Sequence, residues 1–274
     1  NRAVLSDSGE LLGLHTRIAG PSILSFQERP RPIPDPTVAG GAISRPYQIP
    51  NKLLEFVETN THVPIGFWRS VSLSHNGFIG ESVIDELAHR AGSDPVEFRL
   101  ALIGDNPRAR AVLEKAAAEA NWGKTLATGK GMGVAFCPGF GSFYAQVAEV
   151  TVDGDQLTLD RITCVHDCGF AIDPDNVTAQ MQGGVVDGLS AALFGKVTIA
   201  DGAVQQSNFH DYRFIRMSEV PEIDIHLISG DALVGGVGEA AVPAAGPAVC
   251  NAIFAATGKR IRRLPIIDAG FRLG

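Results

Sequence analysis

Phe143-Tyr144-Ala145-Gln146-Val147-Ala148-Glu149-Val150-Thr151-Val152-Asp153-Gly154-Asp155-Gln156-Leu157-Thr158-Leu159-Asp160-Arg161-Ile162-Thr163-Cys164-Val165-His166 reads as two strands, 143–152 and 156–166. Asp153-Gly154-Asp155 is the hairpin turn between them. A third strand, 131–136, precedes the pair. Outward from this meander the periodicity turns helical on both sides. Upstream, Phe78, Val83, Ile84, Leu87 and Ala88 share one helical face, and Gly92 ends it. Asp94-Pro95 opens a short helix with Phe98, Leu100 and Leu102, and a third helix runs from Pro107 to Asn121 with Ala111, Val112 and Ala116 inward. Downstream, Asp173-Pro174 starts a helix over 174–194, with proline in its first turn. A small hairpin follows at 196–207 around Asp201-Gly202, then a strand at 221–229, a helix at 242–257 and a closing strand at 260–267. Strands and helices mix without regular βαβ alternation, so the fold class is α+β, mixed sheets with packed helices.

Residues 2–18 form a hairpin turning at Ser8-Gly9. Residues 29–50, with Pro30, Pro32, Pro34, Pro36, Pro46 and Pro50, read as an extended connecting arm. Three parts result. Residues 1–50 are the N-terminal hairpin and Pro-rich arm, 51–128 an α-rich segment, and 129–274 an α+β region. The apolar segments 53–59 and 242–257, with the Pro-rich arm, are expected to present surface to a partner polypeptide.

The 274 residues suffice for one large domain or two smaller ones. Lys and Arg number 23, Asp and Glu 30, and the net charge of −7 argues against nucleic acid or an anionic membrane surface as the main partner. Lys259-Arg260-Ile261-Arg262-Arg263 suits a solvated edge, with a phosphate contact as the alternative. The 31 glycines and 16 prolines favour a ligand site built from loops over a helical bundle. Cys137, Cys164, Cys168 and Cys250 form no Cys-x-x-Cys pair and read as small packing residues. The histidines show no ligand spacing, so no protein-borne metal site is expected. No apolar run reaches the length of a membrane span and no signal peptide is visible. A first residue of Asn implies a processed product or a fragment.

Four segments carry candidate chemistry. In Gly235-Gly236-Val237-Gly238-Glu239, glycines lead into a carboxylate where an Ala-rich helix should begin. Glycine lets backbone approach a ligand closely, and a helix start suits an anion. In Gly66-Phe67-Trp68-Arg69-Ser70, Arg69 could aim a guanidinium at an oxyanion or phosphate, or form a surface ion pair. In Gly139-Phe140-Gly141-Ser142-Phe143, small residues beside aromatics expose backbone to a flat ligand, or mark a bulged strand entry. In Gln180-Met181-Gln182-Gly183-Gly184, two glycines inside a helix cost roughly 1 kcal/mol each relative to Ala, so either a helix or a cofactor approaches closely there. The Gln180 amide can both donate and accept.

These residues resemble a known family in one continuous order. Trp68-Arg69-Ser70-Val71, Asn76-x-Phe78, Glu81, Asp85-Glu86, Asp94-Pro95 and Phe98-Arg99 are similar to the molybdenum-binding large subunits of the xanthine dehydrogenase and aldehyde oxidase family. Ala148-Glu149-Val150, Asp167-Cys168-Gly169, Asp173-Pro174-Asp175, Gln180-x-Gln182-Gly183-Gly184, Gly235 to Glu239, Pro247-Ala248 and Asn251-Ala252 continue the likeness. It runs from about residue 45 to 267, in the branch of isoquinoline 1-oxidoreductase and nicotinate dehydrogenase. Upstream pterin loops of the Gly-Gly-Phe-Gly-Arg and Met-Gly-Gln-Gly types do not occur here, so the chain resembles the C-terminal portion of such a large subunit.

The resemblance implies roles residue by residue. Glu239 is the general base that takes a proton from a metal-bound hydroxyl. Trp68, Arg69, Gly141, Ser142, Gln180, Gly183, Gly184, Gly236, Val237 and Gly238 contact the cofactor. That cofactor is molybdopterin cytosine dinucleotide with Mo, and [2Fe-2S] clusters sit on a partner iron–sulfur subunit. The other implied partners are the N-terminal portion of the molybdenum subunit and an aldehyde or N-heterocycle substrate. The alternative is a non-catalytic scaffold or assembly subunit that keeps the fold without cofactor. The branch implies a periplasmic location, with the cytoplasm as the alternative.

Overall fold

A computed structural model describes residues 1–274. In chain order, β1 (Arg2–Leu5) and β2 (Leu11–Gly20) are followed by a short α1 (Ile23–Phe26), α2 (Pro36–Ile43) and β3 (Asn51–Glu58). Three helices come next: α3 (Ser72–Arg90), α4 (Pro95–Ile103) and α5 (Pro107–Glu119). Then come β4 (Lys130–Gly139), β5 (Ser142–Asp153), β6 (Gln156–Asp167), α6 (Pro174–Phe194), β7 (Ile199–Ala200) and β8 (Ala203–Val204). β9 (Glu222–Ile228), α7 (Val242–Thr257) and β10 (Arg272–Leu273) complete the chain. The class is α+β. No helix is long and apolar enough to cross a membrane.

The β4–β5–β6 meander is the centre of the molecule. Its strands pair antiparallel, while β9 and β10 pair parallel along the outer edge of β6, at 161–167 and at 156–157. Alternate residues face two cores, as a pleated strand requires. Ala135, Cys137, Tyr144 and Cys164 pack under α6 and α7, whereas Val134, Phe136, Ala145 and Val165 pack against α3, α4 and α5. With helices on both faces, the strands read as nearly continuous apolar runs. A Cβ at Gly133 would collide with the α7 backbone at Ala248 and Ala252, so glycine there sets how closely α7 lies on β4. α7 is buried along its whole inner length, from Val242 to Ile253. The expectation that 242–257 offers a partner surface is therefore corrected: that segment is this chain's own core. β3, by contrast, keeps Leu53 and Val57 exposed on an unpaired strand edge.

Two further expectations change. The Pro-rich arm is not extended throughout, because Pro36–Ile43 is helical. Asp35 accepts from the Thr37 N–H at 2.8 Å, Pro36 takes the first helical position, and Val38 and Ala39 are buried. The closing strand expected at 260–267 is absent. Pro265 has no N–H for a ladder, residues 266–269 form a 3-10 turn, and strand pairing comes only at β10. Arg260 and Arg262 turn instead to Asp85 and Glu86 on α3.

A buried polar network ties the helices to the sheet. Arg99, fully buried, donates to Glu81 Oε2 at 2.9 Å, the Glu81 carbonyl at 3.0 Å and the Pro95 carbonyl at 2.9 Å. Glu81 also accepts from the Tyr47 hydroxyl and the Phe136 N–H, each at 2.8 Å. Both carboxylate oxygens that burial strips of water thus find donors, the condition under which a buried ion pair is tolerable.

Candidate active site

Glu239 lies on the loop that enters α7, at the end of the sheet where β4 turns into β5 and β6 finishes. Two glycines and a backbone turn build its floor. Phe140 and Gly141 close the β4–β5 turn with φ of 57° and 78°. The Gly236 N–H donates to the Phe140 carbonyl at 2.7 Å, Ser142 Oγ donates to the Gly236 carbonyl at 2.8 Å, and the Gly235 N–H donates to the Cys168 carbonyl at 2.8 Å. A Cβ at Gly235 would stand 2.7 Å from the Gly141 carbonyl oxygen, so only glycine lets these two backbones touch.

The 68–71 loop grips Glu239 from the other side. The Ser70 N–H donates to Glu239 Oε1 at 2.9 Å, and Ser70 Oγ donates to the Glu239 carbonyl. Oε2 has no hydrogen-bond partner within the chain. Ser70 and Val71 have φ of 74° and 46°, a region where a β-branched residue is strained by about 1–3 kcal/mol. Arg69 commits all three nitrogens to the protein. Nε donates to the Gly238 carbonyl at 2.6 Å, Nη1 to Asp187 at 2.9 Å, and Nη2 to Gln180 O and Oε1 at 3.3 and 3.2 Å. The guanidinium is turned inward as a brace, and it does not point at an external oxyanion.

Nearly every residue singled out in the sequence comes together here. Gln180 is exposed on α6, with its amide oxygen held by Arg69 and its amide nitrogen left as a donor. Gly238 faces Gln180, since a Cβ there would lie 3.9 Å from Oε1. Trp68 is about half exposed, Gly236 and Gly183 are open, and Val237 tucks toward the core under α6 and α7. Gly184 differs. It is buried, and a Cβ there would meet Ala241 Cβ at 2.8 Å, so its small size serves the packing of α6 on the start of α7. Asp187 joins the site without having stood out in the sequence, and Ser70 stood out only as part of the 66–70 segment, with no role of its own. The signal available for Asp187 was its place seven residues after Gln180, on the same helical face.

A cleft of about 710 Å³ opens beside the Phe140–Ser142 turn, bounded by the first turn of α2, Val71 to Leu73, Arg108 and Phe143. Arg108 pairs with Asp167 at 2.7 and 2.9 Å and lies 5.0 Å over the Phe143 ring. Burial opposes the Asp167 charge, yet Arg108 and the Gly169 N–H outweigh it and hold the carboxyl below its usual range. Behind the turn, burial lowers His166 to about 4, and both of its ring nitrogens lack partners. No three His, Cys, Asp or Glu side chains converge as a metal cage.

Residues 84–221 match the molybdopterin cofactor-binding domain. The chain belongs to that family. It is 36% identical over 235 residues to the beta subunit of isoquinoline 1-oxidoreductase from Brevundimonas diminuta, covering 84% of this chain and 30% of that protein. It is 34% identical over 242 residues to a nicotinate dehydrogenase subunit of Pseudomonas putida, covering 81% of this chain and 20% of that protein. The chain thus spans less than a third of the length of either relative. Its fold is that of quinoline 2-oxidoreductase from Pseudomonas putida 86, with a TM-score of 0.80 over 96% of this chain and 60% of that one, at 14% identity. The α+β class and the molybdenum-hydroxylase likeness read from the sequence agree with these matches. The site also fits a flat, polar organic cofactor: Gly236, Gly238 and Gly141 present backbone without side chains, and the Gln180 amide offers free N–H donors.

Proposed function

We propose that this chain is the Glu239-bearing part of the catalytic molybdenum subunit of a hydroxylase, which oxidises an aldehyde or an N-heterocycle with water-derived oxygen. One observation carries the reading. Three segments distant in sequence converge on the loop that carries Glu239, and the Ser70 N–H holds one oxygen of its carboxylate while the other is free. The backbone of 236–238 and of Gly141, with the Gln180 amide, would hold the cofactor, read as molybdopterin cytosine dinucleotide. When bound, that cofactor supplies the oxidant and the activated oxygen.

Glu239 then acts as general base through its free oxygen, accepting the proton of the oxygen nucleophile. Ser70 keeps the carboxylate oriented during that transfer, and the half-exposed Trp68, two residues before Ser70, is read as a cofactor contact. The chain works with the remaining portion of its molybdenum subunit and with a [2Fe-2S] iron–sulfur subunit that removes electrons, and the location is the periplasm. Relatives named for isoquinoline and nicotinate support a heteroaromatic substrate. The test is Glu239→Gln in the purified complex. Turnover should fall at least ~100-fold, the scale of general-base loss, with molybdenum content unchanged. Near-normal turnover would sink the assignment, and a native complex without molybdenum would make the chain a scaffold.

A further inference from the structure

Glu239 sits on a loop that cannot hold its own direction. Gly235, Gly236 and Gly238 precede it, and the following α7 starts at Val242, behind an Ala241 that gives no side-chain cap. Glycine leaves the backbone free to rotate, so the orientation of the carboxylate must come from outside the loop. Phe140, Ser142 and Cys168 hold Gly235 and Gly236, while Gly238 and Glu239 are held by two consecutive residues. Arg69 Nε holds the Gly238 carbonyl, Ser70 Oγ holds the Glu239 carbonyl, and the Ser70 N–H holds Oε1. Those donors belong to a turn that is itself in the left-handed region at Ser70 and Val71. A strained turn is a poor anchor unless something braces it. The brace is α6. Asp187 takes Arg69 Nη1 at 2.9 Å, and Gln180 takes Nη2 through both its backbone and its side-chain oxygen. The inner side of α6 is locked into the core by Met181, Val185, Gly188 and Leu189.

Resting on the reading of Glu239 as the base, we propose that Asp187 and Arg69 are its positioning residues. The Asp187–Arg69 pair fixes the Gly238 carbonyl and with it the direction in which Glu239 presents its free oxygen. The Asp187 side chain keeps 45% of its surface exposed, and an ion pair that open adds little to global stability. The effect of losing it is therefore local and catalytic.

The experiment uses the whole native complex with Asp187→Ala, Asp187→Asn and Asp187→Glu. Misplacing a catalytic group by about an ångström costs up to roughly 100-fold in rate. For Asp187→Ala, kcat should fall by at least ~10-fold while KM changes less than ~2-fold, and molybdenum content and Tm should stay near the parent. Amide hydrogen exchange over 235–239, read on the cofactor-free complex, should quicken several-fold, because that loop loses the anchor at its Glu239 end. Asp187→Glu, which keeps the charge, should recover most of kcat and the slow exchange, and Asp187→Asn should fall between. Unchanged exchange at 235–239 overturns the proposal. So does faster exchange with kcat intact while Glu239→Gln is inactive, and so does a general loss of Tm and molybdenum that Asp187→Glu fails to restore. If Glu239→Gln keeps its turnover, the base reading falls separately, and exchange alone then decides whether the clamp exists.

Discussion

Gly183 and Gly184 are neighbours on α6, yet alanine should act on them in opposite directions. At Gly184 a Cβ lands 2.8 Å from Ala241 Cβ and 3.5 Å from both Ala241 Cα and Arg69 Nη2. Carbon atoms pack comfortably at about 3.5–4.0 Å, so the start of α7 must retreat by roughly 1 Å. Overpacking of that kind costs about 1–3 kcal/mol. The better helix propensity of alanine returns up to ~1 kcal/mol, leaving a net loss of roughly 0–2 kcal/mol. At Gly183 the nearest atom is Arg69 Nη1 at 3.9 Å and the position is exposed. Only the propensity gain of up to ~1 kcal/mol remains there. Gly184→Ala should therefore be less stable than Gly183→Ala by about 1–3 kcal/mol, several degrees in Tm on the cofactor-free complex. Ala241 lies two residues after Glu239, so Gly184→Ala should also lower turnover more than it lowers molybdenum content. If Gly183 instead lies under the cofactor, Gly183→Ala loses molybdenum while its Tm rises. Thermal unfolding and metal analysis on both variants separate these cases. A Gly184→Ala complex that melts at or above Gly183→Ala would refute the close α6–α7 contact.

Two other perturbations test the body of the fold. Arg99→Leu strands the buried Glu81 carboxylate with only its Tyr47 and Phe136 donors, and a loss of about 3–5 kcal/mol is expected in urea unfolding; a loss under ~1 kcal/mol would show that Glu81 does not need its partner. His166 is held near 4 by burial against an ordinary value of 6.5, so between those values the unfolded chain binds the extra proton. Stability should fall as pH drops from 6.5 toward 4, by up to ~3 kcal/mol from this group, and His166→Leu should flatten that part of the pH–stability curve; an unchanged slope would remove His166 as its cause.

The meander was legible because 131–166 carries long β-forming runs and a turn whose Gly154 takes a left-handed φ of 61°. The helices opened by Asp94-Pro95 and Asp173-Pro174 were legible from the same capping pair that starts α2 at Asp35-Pro36. In the arm that signal was outweighed by proline density, although Pro36 sits where proline favours a helix. In the site, glycine runs marked where backbones touch, as at Gly235 on Gly141. What stayed hidden was direction. Whether Arg69 points outward or inward depends on Asp187 and Gly238, which lie 118 and 169 residues away, and no local pattern encodes such partners. The same holds for Ser70, whose partner Glu239 is 169 residues distant.

The strained turn and the unexpected helix belong to one device. Val71 can hold its left-handed φ only if the chain on both sides is fixed. Before it, Arg69 is tied to α6. After it, Ser72 Oγ donates to the Pro36 carbonyl at 2.7 Å, and Asn76 Nδ2 donates to the Val38 carbonyl at 2.8 Å. Those acceptors lie on the first turn of α2. A Cβ at Gly41 would stand 2.9 Å from Asn76 Cβ and 3.0 Å from Leu73 Cα, so α2 lies as close to α3 as glycine allows. Further along, α3 is held by Glu81 in the Arg99 network. The Pro-rich segment thus packs the start of α3, α3 fixes Ser70 and Val71 from behind, and Asp187 fixes Arg69 from the front. Glu239 inherits its orientation from both, while the glycines beside it leave open the surface where a cofactor can lie.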